Sequence, residues 1–122
     1  MSFDQLPQHV QEKVLRFRQL EQTVQALKTQ VIEIKRVLDE ITNTAKELSG
    51  VDPEEEVWKT IGSIMFQKKS GDVLKELEDQ KEILDLQLKS YTKQETQNRT
   101  RLEDLQKELQ TDLQGGQGPI GT

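Results

Sequence analysis

Apolar residues recur at alternating spacings of three and four residues through the first part of the chain. This spacing defines twelve positions between Val10 and Leu48, of which eleven are apolar and one is Lys13. They are Val10, Lys13, Phe17, Leu20, Val24, Leu27, Val31, Ile34, Leu38, Ile41, Ala45 and Leu48. A repeat averaging 3.5 residues keeps one stripe of a helix against a partner helix. The pattern predicts a coiled-coil helix over about residues 7–48, ended by Gly50.

A second stretch with the same periodicity covers about residues 72–113, so the two helices have similar lengths. Its apolar seam positions are Leu74, Leu77, Leu84, Leu88, Tyr91, Leu102, Leu105 and Leu109. Its polar seam positions are Lys81, Glu95, Asn98 and Asp112. Polar seam residues usually fix register and partner at some cost in stability. If the two helices pair antiparallel about a pivot in residues 49–71, we expect Lys81 to lie near Asp39 and Glu40.

Residues 57–68, between the two helices, have the composition of β-strands. Val57-Trp58-Lys59-Thr60-Ile61 and Ile64-Met65-Phe66-Gln67-Lys68 are rich in β-branched and aromatic residues. Gly62-Ser63 between them suits a two-residue type II′ turn, which places glycine first. The segment therefore predicts a β-hairpin.

An isolated hairpin of this composition predicts an oligomer. Two strands alone are marginally stable in water and leave both outer edges unpaired. The apolar side chains are also too many to stay exposed, so we expect them to join hairpins of other subunits. The candidate assembly residues are Val57, Trp58, Ile61, Ile64, Met65 and Phe66. The predicted fold class is mainly α, an antiparallel two-helix coiled coil joined by a β-hairpin that assembles with other subunits into a β-barrel.

The free ends of the two helices form a second candidate site. Apolar residues near fraying termini could form a soft patch that holds partner proteins. The candidates are Phe3, Leu6, Val10, Leu109 and Leu113. Alternatively, Val10 and Leu109 only complete the coil, and Phe3 is a hydrophobic staple or a loose end. We expect residues 1–114 to form one domain and the glycine-rich residues 115–122 to be a disordered tail.

The composition excludes several classes of function. Of the 122 residues, 32% are hydrophobic and 32% charged, which suits long solvated helices better than a compact core. The net charge of −5 disfavours nucleic-acid binding. The absence of cysteine fits a reducing compartment, and neither a membrane span nor a signal peptide is evident. A soluble cytoplasmic protein is the expectation.

No catalytic or cofactor-binding motif stands out. His9 is the only histidine, so a histidine-based metal site or a serine–histidine relay has no second histidine. Lys69-Ser70 resembles the end of a phosphate-binding loop but lacks the glycines that such a loop requires. We therefore expect no cofactor, no metal, no ATP site and no enzymatic activity.

The order of helix, single hairpin and equal second helix resembles the prefoldin beta subunit. The similarity covers about residues 6–113, and its most specific stretch is Val57-Trp58-Lys59 with Ile61-Gly62. The resemblance implies a heterohexamer with alpha-type subunits, whose hairpins form a double β-barrel. It also implies capture of unfolded proteins without ATP and their delivery to a cytosolic group II chaperonin. Carried over by position, the client-binding residues are Phe3, Leu6, Val10, Leu109 and Leu113, whereas the glycine-rich tail departs from the family pattern.

Two other functions are considered. A structural coiled-coil tether or scaffold gives no reason for the aromatic residues Trp58 and Phe66 in the hairpin. An RNA-binding helical arm is disfavoured by the acidic charge, and salt-dependent RNA binding at physiological ionic strength would support it.

Overall fold

The chain forms two long helices joined by a β-hairpin in a computed structural model that describes residues 2–115. A 3₁₀ turn precedes the first helix. The elements are the 3₁₀ turn Phe3–Gln5, α1 Gln8–Leu48, β1 Glu56–Ile61, β2 Ile64–Lys69 and α2 Ser70–Gly115. The predicted order of helix, hairpin and helix is confirmed. Each strand extends one residue beyond the predicted hairpin, and α2 begins directly after β2.

The contacts divide the chain into two compact units. Among the described residues, the terminal unit comprises residues 2–30 and 91–115, and the hairpin unit comprises residues 31–90. The predicted single domain stays a prediction. Gly115 is the last residue of α2, and the remainder of the predicted tail lies outside the described residues.

The predicted seam of α1 is the face that is removed from solvent. All twelve of its positions are buried or half-buried, including Lys13. The buried apolar residues are Val10, Val24, Leu27 and Leu105 in the terminal unit, and Ile34, Leu38, Ile41 and Val73 in the hairpin unit. Burying this stripe offsets the conformational entropy that a long helix loses on folding. The period of the sequence therefore fixes which face of the helix packs.

The ion pair expected of Lys81 with Asp39 or Glu40 is not found among the described residues. Lys81 is exposed, and Glu40 instead contacts Arg36 of its own helix at 2.5 Å. The expectation placed the pivot at the middle of residues 49–71. The connection is asymmetric, because residues 49–55 separate α1 from β1 whereas β2 runs straight into α2.

The turn that precedes β1 is fixed to the beginning of α2. The Asp52 carboxylate accepts a hydrogen bond from the Glu54 amide at 2.9 Å. The Gly71 amide donates to the carbonyl of Pro53 at 2.9 Å. A Cβ at Gly71 would lie 3.1 Å from the Pro53 Cβ, so only glycine fits this approach without displacement. Asp52-Pro53-Glu54-Glu55, which the sequence left open between a turn and a helical turn, is a turn.

The hairpin has the register that a two-residue turn imposes. β1 and β2 pair antiparallel from Glu56 opposite Lys69 to Ile61 opposite Ile64. Gly62 has φ +60°, and no other described residue has a positive φ. A positive φ at the first central residue alone is the geometry of a type II′ turn.

Candidate functional site

The hairpin presents two faces of different character. Successive side chains of a strand point to opposite faces, and the half-buried residues on one face are Val57, Lys59, Phe66 and Lys68. Trp58 and Met65 lie on the other face, and both are more than half exposed. Of the six predicted assembly residues, Val57 and Phe66 therefore pack inward. The outward face is the part of the hairpin that remains available to another molecule.

At the turn end, the inward face of the hairpin is exposed as well. Ile61 and Ile64 pair across the strands on the same face as Val57 and Phe66, yet each is more than half exposed. Together with Trp58 and Met65 they place four large apolar side chains in water on a two-stranded sheet. Exposed apolar surface of this density marks an interaction site. We call these four residues the hairpin patch.

Glu76 of α2 ties the inward face of the hairpin to the helix. Its carboxylate accepts a hydrogen bond from the Lys59 ammonium at 2.5 Å and another from Lys68. These two ammonium groups, Lys59 first, hold the pKa of Glu76 below its ordinary value. Because Lys59 lies on β1 and Lys68 on β2, one carboxylate contacts both strands. The contact directs the face that carries Trp58 and Met65 away from α2.

The predicted client-binding residues all lie in the terminal unit, but their exposure differs. Phe3, Leu6 and Leu109 are half-buried. Val10 is only 3% exposed, whereas Leu113 is 42% exposed. The burial of Val10 agrees with the alternative in which it completes the coil. Their role in holding clients stays a prediction.

Residues 2–7, here called the N-terminal arm, have an ordered conformation. Ser2 and Gln5 exchange two hydrogen bonds, from the Ser2 amide to the Gln5 side chain at 3.2 Å and from the Gln5 amide to the Ser2 carbonyl at 3.0 Å. The Gln11 side chain donates to the Leu6 carbonyl at 2.9 Å. The sequence analysis missed this arm, although serine followed three residues later by glutamine is a helix-capping signal.

A second feature that the sequence analysis missed joins the two helices of the terminal unit. The Lys13 ammonium lies 2.8 Å from a carboxylate oxygen of Asp112. The hydrogen bond to Asp112 raises the pKa of Lys13, against the opposing effect of desolvation. The sequence identifies Lys13 and Asp112 as polar seam positions, but it does not show that they pair with each other. The pair confirms that the helices run antiparallel within this unit.

Glu95 is the least solvated charged residue among those described. It is buried, and its Oε1 atom accepts no hydrogen bond. The nearest cation is Arg99, one turn along α2 and 3.5 Å away. A buried carboxylate with one long ion contact costs stability, as expected for a polar residue that interrupts an apolar seam.

Neither a metal site nor a membrane span is found in the described chain. Among residues 2–115, no group of three or more potential ligands is placed to hold a metal ion. Within the same residues, no helix carries an apolar stretch that could cross a lipid bilayer. What the fold offers instead is two apolar surfaces, one on the hairpin and one at the helix ends.

Fold and surfaces together define a coiled-coil protein with an exposed β-hairpin, and comparison with known proteins agrees. A family model described as "Prefoldin subunit" matches residues 11–116. The prefoldin subunit beta of Archaeoglobus fulgidus is 36% identical over 106 residues, covering 87% of this chain and 91% of the relative. The prefoldin subunit beta of Saccharolobus islandicus is 34% identical over 122 residues, covering 96% of this chain and 97% of the relative.

A solved structure has the same fold. The prefoldin beta subunit from Thermococcus strain KS-1 superposes with a TM-score of 0.76 at 22% identity, covering 87% of this chain and 93% of that one. The chain belongs to the prefoldin subunit family, a family of chaperones. The resemblance to prefoldin beta subunits, drawn from the sequence, is confirmed.

Proposed function

We propose that the chain is the beta-type subunit of a hetero-oligomeric, ATP-independent holdase. In this proposal it assembles with alpha-type prefoldin subunits into a heterohexamer in the cytoplasm. The oligomer captures unfolded proteins by its helix ends and passes them to a group II chaperonin. No catalytic step, cofactor, nucleic acid or membrane takes part.

The hairpin patch is the observation that carries the assembly part of the proposal. Trp58, Ile61, Ile64 and Met65 would lose most of their exposure if hairpins of several subunits joined edge to edge. At about 25 cal/mol per Å² of apolar surface, burying such side chains contributes about 1.5–3 kcal/mol each. Strand pairing would also satisfy the unpaired backbone groups at both hairpin edges. Closure of the edges into a β-barrel is the arrangement that leaves none open.

The terminal unit supports the client-holding part of the proposal. Leu113 is substantially exposed, and Phe3 and Leu6 belong to an arm that Gln11 and Arg18 of α1 hold by side-chain hydrogen bonds and a cation–aromatic contact. Segments with few buried contacts open at low free-energy cost. Apolar side chains on such segments adapt to unfolded chains of many sequences, which suits a holdase. In this proposal Val10 and Leu109 form the base on which the more exposed residues act.

The test is a client-holding assay with the assembled oligomer. The chain is co-purified with an alpha-type prefoldin subunit, and native mass measurement establishes the stoichiometry. Chemically denatured citrate synthase is then diluted into the oligomer at equimolar amounts without ATP, and light scattering reports aggregation. We expect strong suppression that needs both subunit types. An assembled oligomer that leaves aggregation unchanged would refute the holdase and favour the structural tether.

A further inference from the structure

The N-terminal arm lies against a particular stripe of α1. At one end of the stripe, the Gln11 side chain holds the Leu6 carbonyl at 2.9 Å. At the other end, the Arg18 guanidinium lies over the Phe3 ring, 5.8 Å from its centroid. Gln11 and Arg18 are seven residues apart and therefore share one face of the helix. The arm is thus folded back along α1.

The stripe between these two contacts carries two apolar residues outside the predicted seam. Val14 and Leu15 lie three and four residues after Gln11, so they occupy the same face. Neither is a seam position, yet Val14 is half-buried and Leu15 is 55% exposed. Leu15 is thus a large apolar side chain that the pairing of the helices leaves in water. We call Gln11, Val14, Leu15 and Arg18 the arm stripe.

We propose that the arm stripe is a further client-binding surface and that the N-terminal arm, held at Gln11 and Arg18, is a latch that competes with a client for it. The fitting partner is an unfolded segment with aromatic and aliphatic side chains, the chemistry that Phe3 and Leu6 already bring to this face. Arg18 is the latch residue, and Val14 and Leu15 are the contact residues. The inference rests on the proposed holdase function and specifies where on the terminal unit a client binds.

The latch is weak enough to open in the presence of a client. Its side-chain contacts with α1 are two hydrogen bonds from Gln11, to the carbonyls of Leu6 at 2.9 Å and Asp4 at 3.5 Å, and one cation–aromatic contact. Opening frees Phe3 and Leu6 together with the arm stripe, so only the open form is fully competent. The apparent affinity for a client then equals the intrinsic affinity reduced by the open fraction. Weakening the latch should therefore tighten client binding.

The direct test changes Arg18 in the full-length chain, assembled with its alpha-type partner. Reduced, carboxymethylated α-lactalbumin, which stays unfolded, is the probe, and its dissociation constant is measured by fluorescence anisotropy. We expect Arg18→Gln to tighten binding about two- to five-fold, since an exposed cation–aromatic contact is worth that factor in population. Arg18→Lys, which keeps the cation, should stay near wild type. Lys28→Gln removes the same charge from an exposed position of α1 and should change nothing.

The position of the arm can be read independently of client binding. The chain has three phenylalanines, Phe3, Phe17 and Phe66. Uniform 4-fluorophenylalanine labelling therefore gives three ¹⁹F signals, and Phe3→Leu assigns one of them. Arg18→Gln should move that signal toward the shift of a solvated ring. An unmoved signal would show that Arg18 does not hold the arm.

The contact surface has its own variant. Leu15→Ser removes an exposed side chain, so folding should be retained, and client binding should weaken. Ile32→Ser, at a position 68% exposed elsewhere on α1, is the matched control and should leave binding unchanged. Suppose that wild type binds the probe. If Arg18→Gln then binds it no more tightly than wild type, or Leu15→Ser binds it as tightly as wild type, the latch proposal is refuted and the holdase function stands. If wild type does not bind the probe at all, the proposed function itself fails.

Discussion

Lys13 and Asp112 form an ion pair between α1 and α2, and they lie equally far along the chain from the Gly62-Ser63 turn. Each residue interrupts the apolar seam of its own helix. Antiparallel pairing brings the two exceptions together, and each then neutralises the other at 2.8 Å. A shift of one helix by one heptad would leave both charges facing apolar residues. The pair therefore favours the observed register over its neighbours.

The first prediction concerns this pair. Lys13→Leu or Asp112→Leu alone should lower the thermal midpoint, because each leaves one partly buried charge without its partner. The double substitution should raise the midpoint above wild type, since two leucines would continue the seam. Circular dichroism melts of the four proteins form a double-mutant cycle that checks this. A double variant less stable than both single variants would contradict it.

The second prediction concerns Glu76 and pH. Lys59 and Lys68 hold the pKa of Glu76 below its ordinary value, so its contribution to stability is present above the unfolded-state pKa of about 4.3. That contribution is lost as pH falls through the lowered folded-state value. As pH falls below about 4 the hairpin should therefore be held less firmly to α2, which lower protection factors of the β1 and β2 amides, corrected for intrinsic exchange at each pH, would report.

Glu76→Gln is the control for this prediction. The glutamine cannot ionise, so the variant should exchange faster than wild type at pH 7 and show less acid dependence in the hairpin. Glu78→Gln changes an exposed glutamate on the same helix and should follow wild type at every pH. Equal acid dependence in wild type and Glu76→Gln would assign the effect to other groups.

Much of this fold could be predicted because two short-range signals determine it. The 3.5-residue repeat selects the buried face of α1, and Gly62-Ser63 selects the hairpin turn. Both depend on residues close in sequence. The pairing of Lys13 with Asp112 depends on the pivot: the two residues are equally far from the Gly62-Ser63 turn, whereas the expectation for Lys81 took the middle of residues 49–71. The expected contact of Lys81 with Glu40 failed for this reason.

The candidate surfaces were predictable in composition but less so in exposure. Alternation along the strands gives two faces, but the sequence does not tell which face meets α2. Glu76 decides this by contacting Lys59 and Lys68. These contacts join a helix to both strands, and neither the strand alternation nor the helix repeat predicts them. Similarly, the apolar character of Val10 was evident, whereas its burial depends on where α2 ends relative to α1.

The third prediction concerns assembly. Trp58→Lys with Met65→Lys places two charges on the outward face of the hairpin, where joined hairpins would bury them unpaired. A buried unpaired charge costs several kcal/mol, so the oligomer with the alpha-type partner should be lost. Because both residues are exposed in the single chain, helical content should remain. Analytical ultracentrifugation and circular dichroism measure the two effects.

Ile32→Lys is the matched control for assembly. Ile32 is as exposed as the residues of the hairpin patch but lies on α1, so this variant should assemble normally. Deleting residues 57–68, by contrast, removes the hairpin and should leave a helical monomer. An intact oligomer after that deletion would exclude the hairpin as the assembly element.

The fourth prediction separates the two roles that the sequence assigned to the helix ends. Val10→Ser should destabilise the terminal unit by about 1–3 kcal/mol, because it removes buried methyl groups and buries a hydroxyl. Leu113→Ser should change stability by no more than about 0.5 kcal/mol, since the side chain is largely exposed. Client holding should respond in the reverse order: Leu113→Ser should weaken the suppression of citrate synthase aggregation, and Val10→Ser should do so only near its own lowered melting temperature. Melting curves and light scattering at 25 °C and near the melting temperature measure both quantities. If Val10→Ser abolished holding at 25 °C with the terminal unit fully folded, Val10 would itself be a client contact and the division between base and contact residues would be wrong.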